Sequence, residues 1–269
     1  MKPNRTGPVI GLIGGLTATF LLLPLLAVIP VSFTPKRYLS LPEGAWSTRH
    51  YEALLTESAW ADSIFLSLKV GLLSASLATL LALAFALGLW MMRPRFGGVL
   101  AGVALLPMVA PPVVSALTLY YFLRSASDWN SFVIYDGWIG VAVAHTVMVM
   151  PYALVIILVA LGQVDRKIDL AARSMGASVW TRITTVILPN IRFGVLSGFM
   201  LSFILSWDEI AVTLFITSVR AITLPRRMWM GLRDNIDPAV AALSVVLIVI
   251  VTLVILGRVV WQWRSSRGT

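Results

Sequence analysis

Apolar residues in this chain fall into long uninterrupted runs rather than alternating with polar ones. Five runs carry no charge: Val9–Phe33, Phe96–Leu123, Gly137–Val164, Phe193–Trp207 and Pro238–Gly257. A sixth, Ile64–Met92, carries only Lys69. About 20 residues of α-helix cross the hydrocarbon core of a bilayer, and the runs lack the alternation of a barrel strand. The pattern predicts an all-α membrane protein, one transmembrane domain over residues 1–269, with six spans at 9–31, 64–92, 96–123, 137–162, 193–217 and 238–257. The fifth is long enough only if it continues past Asp208-Glu209 to about Thr217. The first follows a basic N-terminus but exceeds a signal-peptide core and precedes no small-x-small cleavage site, so it reads as an uncleaved signal anchor.

Composition sharpens this picture. The 269 residues are 58% hydrophobic and 12% charged, with a mean hydropathy of +0.89. About a quarter of a soluble domain is charged. The net charge of +9 is explained by topology rather than by nucleic acid. With the N-terminus cytoplasmic, the inner segments 1–8, 93–95, 165–192 and 258–269 hold twelve basic and two acidic residues. The outer segments hold eight basic and ten acidic ones. The positive-inside rule then selects both termini inside and an even number of spans, in a bacterial inner membrane. Trp60, Trp90, Trp138, Trp261 and Trp263 lie at run ends, where headgroup-level rings are expected. Pro107, Pro111, Pro112 and Pro151 mark bends that a packed bundle tolerates. Zero cysteines exclude disulfides, iron–sulfur clusters and thiolate zinc sites.

The longest inner loop, 165–192, reads DRKIDLAARSMGASVWTRITTVILPNIR. Ile168, Ala171, Ala172 and Met175 recur at helical spacing, and Asp169 and Arg173 stand at i, i+4 on another face. Gly176 suits the left-handed residue that ends a helix. Ser178 suits the cap of a second helix carrying Val179, Ile183, Val186 and Ile187, and Pro189 opposes its continuation. The pattern fits an amphipathic loop lying on the membrane or a docking knob for a cytoplasmic partner.

Other chemistry is sparse. No Gly-x-x-x-x-Gly-Lys-[Ser/Thr] loop occurs, so ATP phosphates are not cradled in that way. The histidines are His50 and His145, without His-Glu-x-x-His, which leaves little for an intramembrane enzyme. His145 reads as an interhelical hydrogen-bonding residue, and Lys69 as a side chain snorkelling to the interface or reaching a substrate. Carboxylates inside a span usually face a cavity or a partner. Asp208 and Glu209 therefore read as a cation path or as a structural pair with a neighbouring subunit.

Residues of the loop carry a resemblance. Ala171-Ala172, three residues, Gly176, nine residues and Val186-Ile187-Leu188-Pro189 follow the spacing Glu-Ala-Ala, three residues, Gly, nine residues, Ile-x-Leu-Pro of type I ABC importer permeases. Leu170 stands where that motif has Glu, with Asp169 beside it. The resemblance covers most of the chain and is closest to the spermidine/putrescine branch. It rests on Ala144-His145-Thr146, Leu205-Ser206-Trp207-Asp208-Glu209, Thr223-Leu224-Pro225 and Asp237-Pro238-Ala239 with Ala242-Leu243. Pro112 stands where polyamine permeases often carry an acidic residue.

The resemblance implies a permease subunit of an ATP-driven importer, without cofactors of its own; ATP and Mg would bind a separate ATPase dimer. A cytoplasmic coupling helix between spans 4 and 5 would meet that ATPase through Asp169, Ala171, Ala172, Met175, Gly176, Leu188 and Pro189. An extracytoplasmic solute-binding protein would deliver the solute, and a second, non-identical permease would complete the path. Trp207, Asp208 and Glu209 would line it. The implied cargo is a polyamine or another small organic cation; opines, aminophosphonates and ferric ion are carried by relatives of the same class. The remaining alternative is a passive channel, which needs no docking knob.

Overall fold

The computed structural model describes residues 7–265, side chains at 7–8, 234–235 and 265 excepted. Lys2, Arg5 and Arg267, which enter the charge count, lie outside the described residues. No strand occurs among the described residues. The helices run α1 Gly7–Ser32, α2 Arg49–Thr56, α3 Ser58–Met92, α4 Gly97–Ala104, α5 Leu106–Val109, α6 Pro112–Trp129 and α7 Trp138–Gly162. They continue as α8 Arg166–Ser174, α9 Val179–Thr181, α10 Leu188–Trp207, α11 Ala211–Ile216, α12 Leu224–Met230 and α13 Ala239–Ser265. Two stretches of π-helix intervene, Arg182–Ile187 and Gly231–Asn235.

Among the described residues, five helical stretches are long and apolar enough to cross a membrane: Val9–Ser32, Ser58–Met92, Trp138–Gly162, Val179–Trp207 and Ala239–Arg264. The run expected as a third span, 96–123, is divided among α4, α5 and α6. Prolines divide it. Pro107 opens α5, and Pro112 opens α6. Ala110 precedes Pro111 and is extended (ψ 138°), as the clash with a following proline ring requires. A three-residue link, 93–95, joins α3 to this segment, with Arg93 in the left-handed region (φ 47°).

Three expectations are corrected. The helix of the fifth span begins at Val179, not near 193, and runs through Pro189. The π-turn Arg182–Ile187 just before the proline accounts for this: a widened turn accommodates a residue that lacks an N–H and crowds the carbonyl four residues back. At its other end that helix stops at Trp207 and restarts at Ala211, so it does not run unbroken to Thr217. Trp60 and Trp90 are buried core residues rather than headgroup anchors, whereas Trp138, Trp261 and Trp263 are exposed.

The chain divides into two compact units, Met1–Ala61 with Arg227–Thr269, and Asp62–Arg226. In the first, α1 and α2 pack on α13. Ser32 Oγ and Tyr51 Oη lie 2.7 Å apart, Phe33 packs against Trp46 and Tyr51, and the Arg227 guanidinium lies over the Trp60 ring. Apolar side chains of α1 from Val9 to Leu26 remain exposed on this chain, as on a helix whose solvent is lipid or another subunit.

In the second unit two clusters form the interior. Val70, Leu119, Leu123, Val141, Val212 and Ile216 join α3, α6, α7 and α11. Ala86, Trp90, Leu154, Ile157, Ile187 and Ile191 join the other half of α3, the end of α7 and the start of α10. In a membrane, packing of this kind depends on close approach, since lipid offers no hydrophobic drive between helices. Here α10 presents Gly194, Gly198, Ser202 and Ser206, one residue every four, and α7 answers with Ala160, Ala153 and His145. A Cβ added at Gly198 would lie 3.5 Å from the Cα of Ala153, and one at Gly194 would collide with the Cβ of Ala160. Ser74 of α3 adds an interhelical bond, its hydroxyl 3.0 Å from the carbonyl of Ala142.

Candidate functional site

Two places gather the residues singled out by the sequence: the loop 165–192 and the break after Trp207. The loop is a capped helix–turn–helix. Asp165 caps α8 by accepting from the Lys167 N–H at 2.9 Å. Gly176 has φ +81° and closes a full Schellman turn: its own N–H reaches the carbonyl of Arg173, and the Ala177 N–H reaches that of Ala172. Ser178 caps α9, accepting from the Thr181 N–H at 3.1 Å. The chain is thus held by local hydrogen bonds, as a segment without a core of its own must be.

One pairing differs from the expectation. Asp169 does not pair with Arg173; its two carboxylate oxygens accept from Arg182 Nε and Nη2 at 2.8 and 2.6 Å. Position 182 lies one helix further on, and the turn at Gly176 folds it back over α8. A bidentate pair of this kind fixes both distance and orientation. Asp169, Arg182 and Ala172 form the inner side of the hairpin and are buried. Ala171, Met175 and Gly176 are exposed on the outer side with Ile168 and Leu170. Leu188 is half-buried and Pro189 exposed, at the root of the hairpin. The four-residue stripe read as one apolar face is therefore split, with only Ala172 inside.

The second place is the segment 208–210. Asp208 ends α10, its N–H bonded to the carbonyl of Ile204. Glu209 bends back into its own chain: Oε1 accepts from the Val212 N–H at 2.9 Å, capping the first turn of α11. The two acids therefore do not follow one helix at 100° steps, because no helix runs through them. Glu209 is half-buried and engaged locally, while Asp208 is exposed and its carboxylate makes no hydrogen bond among the described residues. Trp207 is half-buried and packs against Phe203, the rings tilted by 34° with centroids 6.0 Å apart.

His145 holds the break together. It is buried on α7, with Nδ1 2.9 Å from Ser206 Oγ and Nε2 2.8 Å from Thr213 Oγ1. These partners lie on either side of 208–210. Thr213 Oγ1 donates to the carbonyl of Glu209, so the network is satisfied when Nε2–H donates to Thr213 and Nδ1 accepts from Ser206. This is the interhelical role expected of His145. The sequence reading attached no function to the stripe Gly194, Gly198, Ser202 and Ser206 that seats α10 against α7, although its four-residue period was a legible signal. Lys69 is exposed on α3.

Asp136 fixes the far end of α11. It adopts φ 57°, its N–H bonds the carbonyl of Ile216, and its carboxylate accepts from the N–H groups of Ser218, Val219, Arg220 and Ala221. Burial alone would raise the carboxyl's pKa, but these donors outweigh it and hold Asp136 below the usual carboxylate range.

Residues 78–262 match the family described as "Binding-protein-dependent transport system inner membrane component". The chain belongs to that family of transport permeases. It is 30% identical over 247 residues to the putrescine transport system permease protein PotI of Escherichia coli, covering 90% of this chain and 86% of that one. It is 28% identical over 242 residues to the spermidine/putrescine transport system permease protein PotC of Haemophilus influenzae, covering 90% and 91%. A Haloferax volcanii relative called "Probable molybdenum ABC transporter permease protein" is 31% identical over 209 residues, covering 75% and 77%. A bacterial ABC transporter that imports the acidic polysaccharide alginate shares the fold, with a TM-score of 0.72 at 13% identity over 97% of this chain and 99% of that one. The permease is thus a multi-pass inner-membrane transport component, not an enzyme. Membership of its family implies a solute-binding protein and an ATPase as partners.

Proposed function

We propose that this permease carries a polyamine or another small organic cation, with Asp208 on the translocation path. The observation that supports this most directly is the difference between its two adjacent acids. Glu209 is committed to capping α11, whereas Asp208 stands exposed at a helix break, its carboxylate unpaired among the described residues. A carboxylate at membrane depth costs about 2.5–3.5 kcal/mol on insertion scales, so its retention implies a polar pathway or a cationic guest. The names of the PotI and PotC relatives point to the same cargo. Asp208→Asn keeps shape and removes charge. Uptake of radiolabelled putrescine by proteoliposomes of the assembled transporter is expected to fall about tenfold, the loss of roughly 1.4 kcal/mol of attraction, with basal ATP hydrolysis retained. Unchanged uptake, or transport of an anion instead, sinks the reading.

In this proposal the chain crosses the membrane six times, α4 to α6 together making the third crossing, with both termini cytoplasmic. The exposed outer side of α8, including Ala171, Met175 and Gly176, docks on one ATPase subunit. Leu188 and Pro189 connect that knob to the span, and the Asp169–Arg182 pair keeps it rigid enough to transmit motion. A second, non-identical permease completes the path beside Asp208. The absence of native cysteine makes topology directly testable. A cysteine placed at Ser178, which is exposed, is expected to react with an impermeant maleimide only in inside-out vesicles. Labelling of whole cells at that position contradicts the orientation.

A further inference from the structure

A groove of about 830 Å³ runs along the second unit between the end of α3 and the root of the hairpin. Its floor is one face of α3: Leu80, Leu83, Leu87 and Met91 recur at helical spacing, and Gly88 leaves the space between them open, since a Cβ there would meet nothing within 4 Å. Its other wall is Trp180 and Ile183, and Arg173 stands at the rim. Several of these apolar side chains are exposed on the chain, Leu80 at 63% and Trp180 at 73%.

Two features define what fits. The first is length. Leu80 to Met91 rises about 17 Å along α3, close to the roughly 15 Å depth of one leaflet's hydrocarbon. The second is charge. Residues 165–192 carry five basic residues against Asp165 and Asp169. Of the two arginines at the groove, Arg182 is neutralised by Asp169, while Arg173 has no hydrogen bond or ion pair among the described residues. The groove therefore combines an apolar slot one leaflet deep with a single free guanidinium at the polar end of the membrane-crossing helices. Trp180 beside it suits the headgroup level.

We propose that this groove is a specific site for an anionic phospholipid, one acyl chain lying along α3 and the headgroup phosphate on Arg173. Under the orientation given above, the lipid comes from the cytoplasmic leaflet. It would bridge α3 and the hairpin, so its occupancy would stiffen the connection between knob and span. The occupant is a lipid because the slot is apolar along the depth of one leaflet and its one unpaired polar group, at the polar end, matches a phosphate.

The test uses the assembled transporter in phosphatidylcholine nanodiscs doped with phosphatidylglycerol that bears a diazirine near its acyl terminus, and in parallel with phosphatidylcholine bearing the same group. After irradiation, labelled peptides are mapped. Labelling of 80–92 and 179–188 is expected from phosphatidylglycerol in clear excess over phosphatidylcholine. Arg173→Gln is expected to reduce that excess about fivefold, the usual effect of one basic residue at a lipid headgroup. Gly88→Trp, which fills the slot, is expected to remove labelling of both segments and leave it elsewhere. Equal labelling by the two lipids, or an excess indifferent to Arg173→Gln, overturns the proposal, and Arg173→Gln alone decides it if Gly88→Trp does not assemble. Dissociation of the second permease or of the ATPase in Gly88→Trp, with labelling of wild type absent, assigns the groove to a protein contact and overturns it equally.

Discussion

Replacing Gly176 by valine is expected to abolish transport while the permease still inserts and assembles. Gly176 holds φ +81°, and its Schellman turn reverses the chain between α8 and α9. A Cβ there meets nothing within 4 Å, so the penalty is conformational rather than steric. An ordinary L-residue in the left-handed region costs about 1–2 kcal/mol, and a β-branched one more. The strain falls on the turn itself, and the valine variant is expected to relieve it by opening the turn. Arg182 then no longer folds over α8, and the bidentate bond to Asp169 opens. A hairpin without its internal tie cannot pass a rigid-body displacement from an ATPase to a span. In proteoliposomes the variant is expected to hydrolyse ATP without solute uptake. Gly176→Asn, tolerated in the left-handed region, should retain substantial uptake. Full transport by Gly176→Val would show that the loop does not couple the two activities.

The second large effect is expected where α10 meets α7. Gly194→Ala adds one methyl group, but at this position the new Cβ collides with the Cβ of Ala160. The two helices must separate locally, and overpacking of this sort costs about 1–3 kcal/mol. The strain propagates along the stripe to Ser206, whose bond to His145 helps set the break at 208–210. Removing the opposing methyl group instead crowds nothing: Ala160→Gly alone should be only about 0.5–1 kcal/mol less stable than wild type, the usual cost of glycine inside a helix. Gly194→Ala combined with Ala160→Gly should recover most of what Gly194→Ala loses. Thermal unfolding of the purified permease measures all three. A melting temperature unchanged in Gly194→Ala would show that these helices are not in close contact.

Much of the architecture was legible along the chain. Four of the five charge-free runs lie on single helices, because a backbone in lipid must satisfy its own hydrogen bonds, and the exception is the proline-divided run 96–123. The caps of the hairpin, Asp165, Gly176 and Ser178, were equally legible, since capping depends on residues within one turn of each other. Prolines were read less well. Pro107, Pro111 and Pro112 divide their segment as a sequence reading allows, whereas Pro189 sits inside a continuous helix because the π-turn before it makes room. Nothing local in Arg182–Ile187 announces that turn.

The functional residues divide along the same line. Position alone made Asp208 and Glu209 conspicuous, but it could not separate them; the break in the helix did, by giving Glu209 a backbone donor and leaving Asp208 without one. Asp169 was matched with Arg173 by spacing, yet Arg182 took it, because a turn brings thirteen residues of separation to 2.6 Å. His145 was expected to bridge helices, but its partners Ser206 and Thr213, 61 and 68 residues away, followed only from how α7, α10 and α11 pack. By itself the sequence determined the membrane solvent, the helices within it and the ends of the loop, because those depend on composition and on neighbours within a turn. Which acid is committed, which arginine is left free and where two helices touch were decided by tertiary structure, because a side chain's partner is chosen by distance in space and the chain does not record that distance.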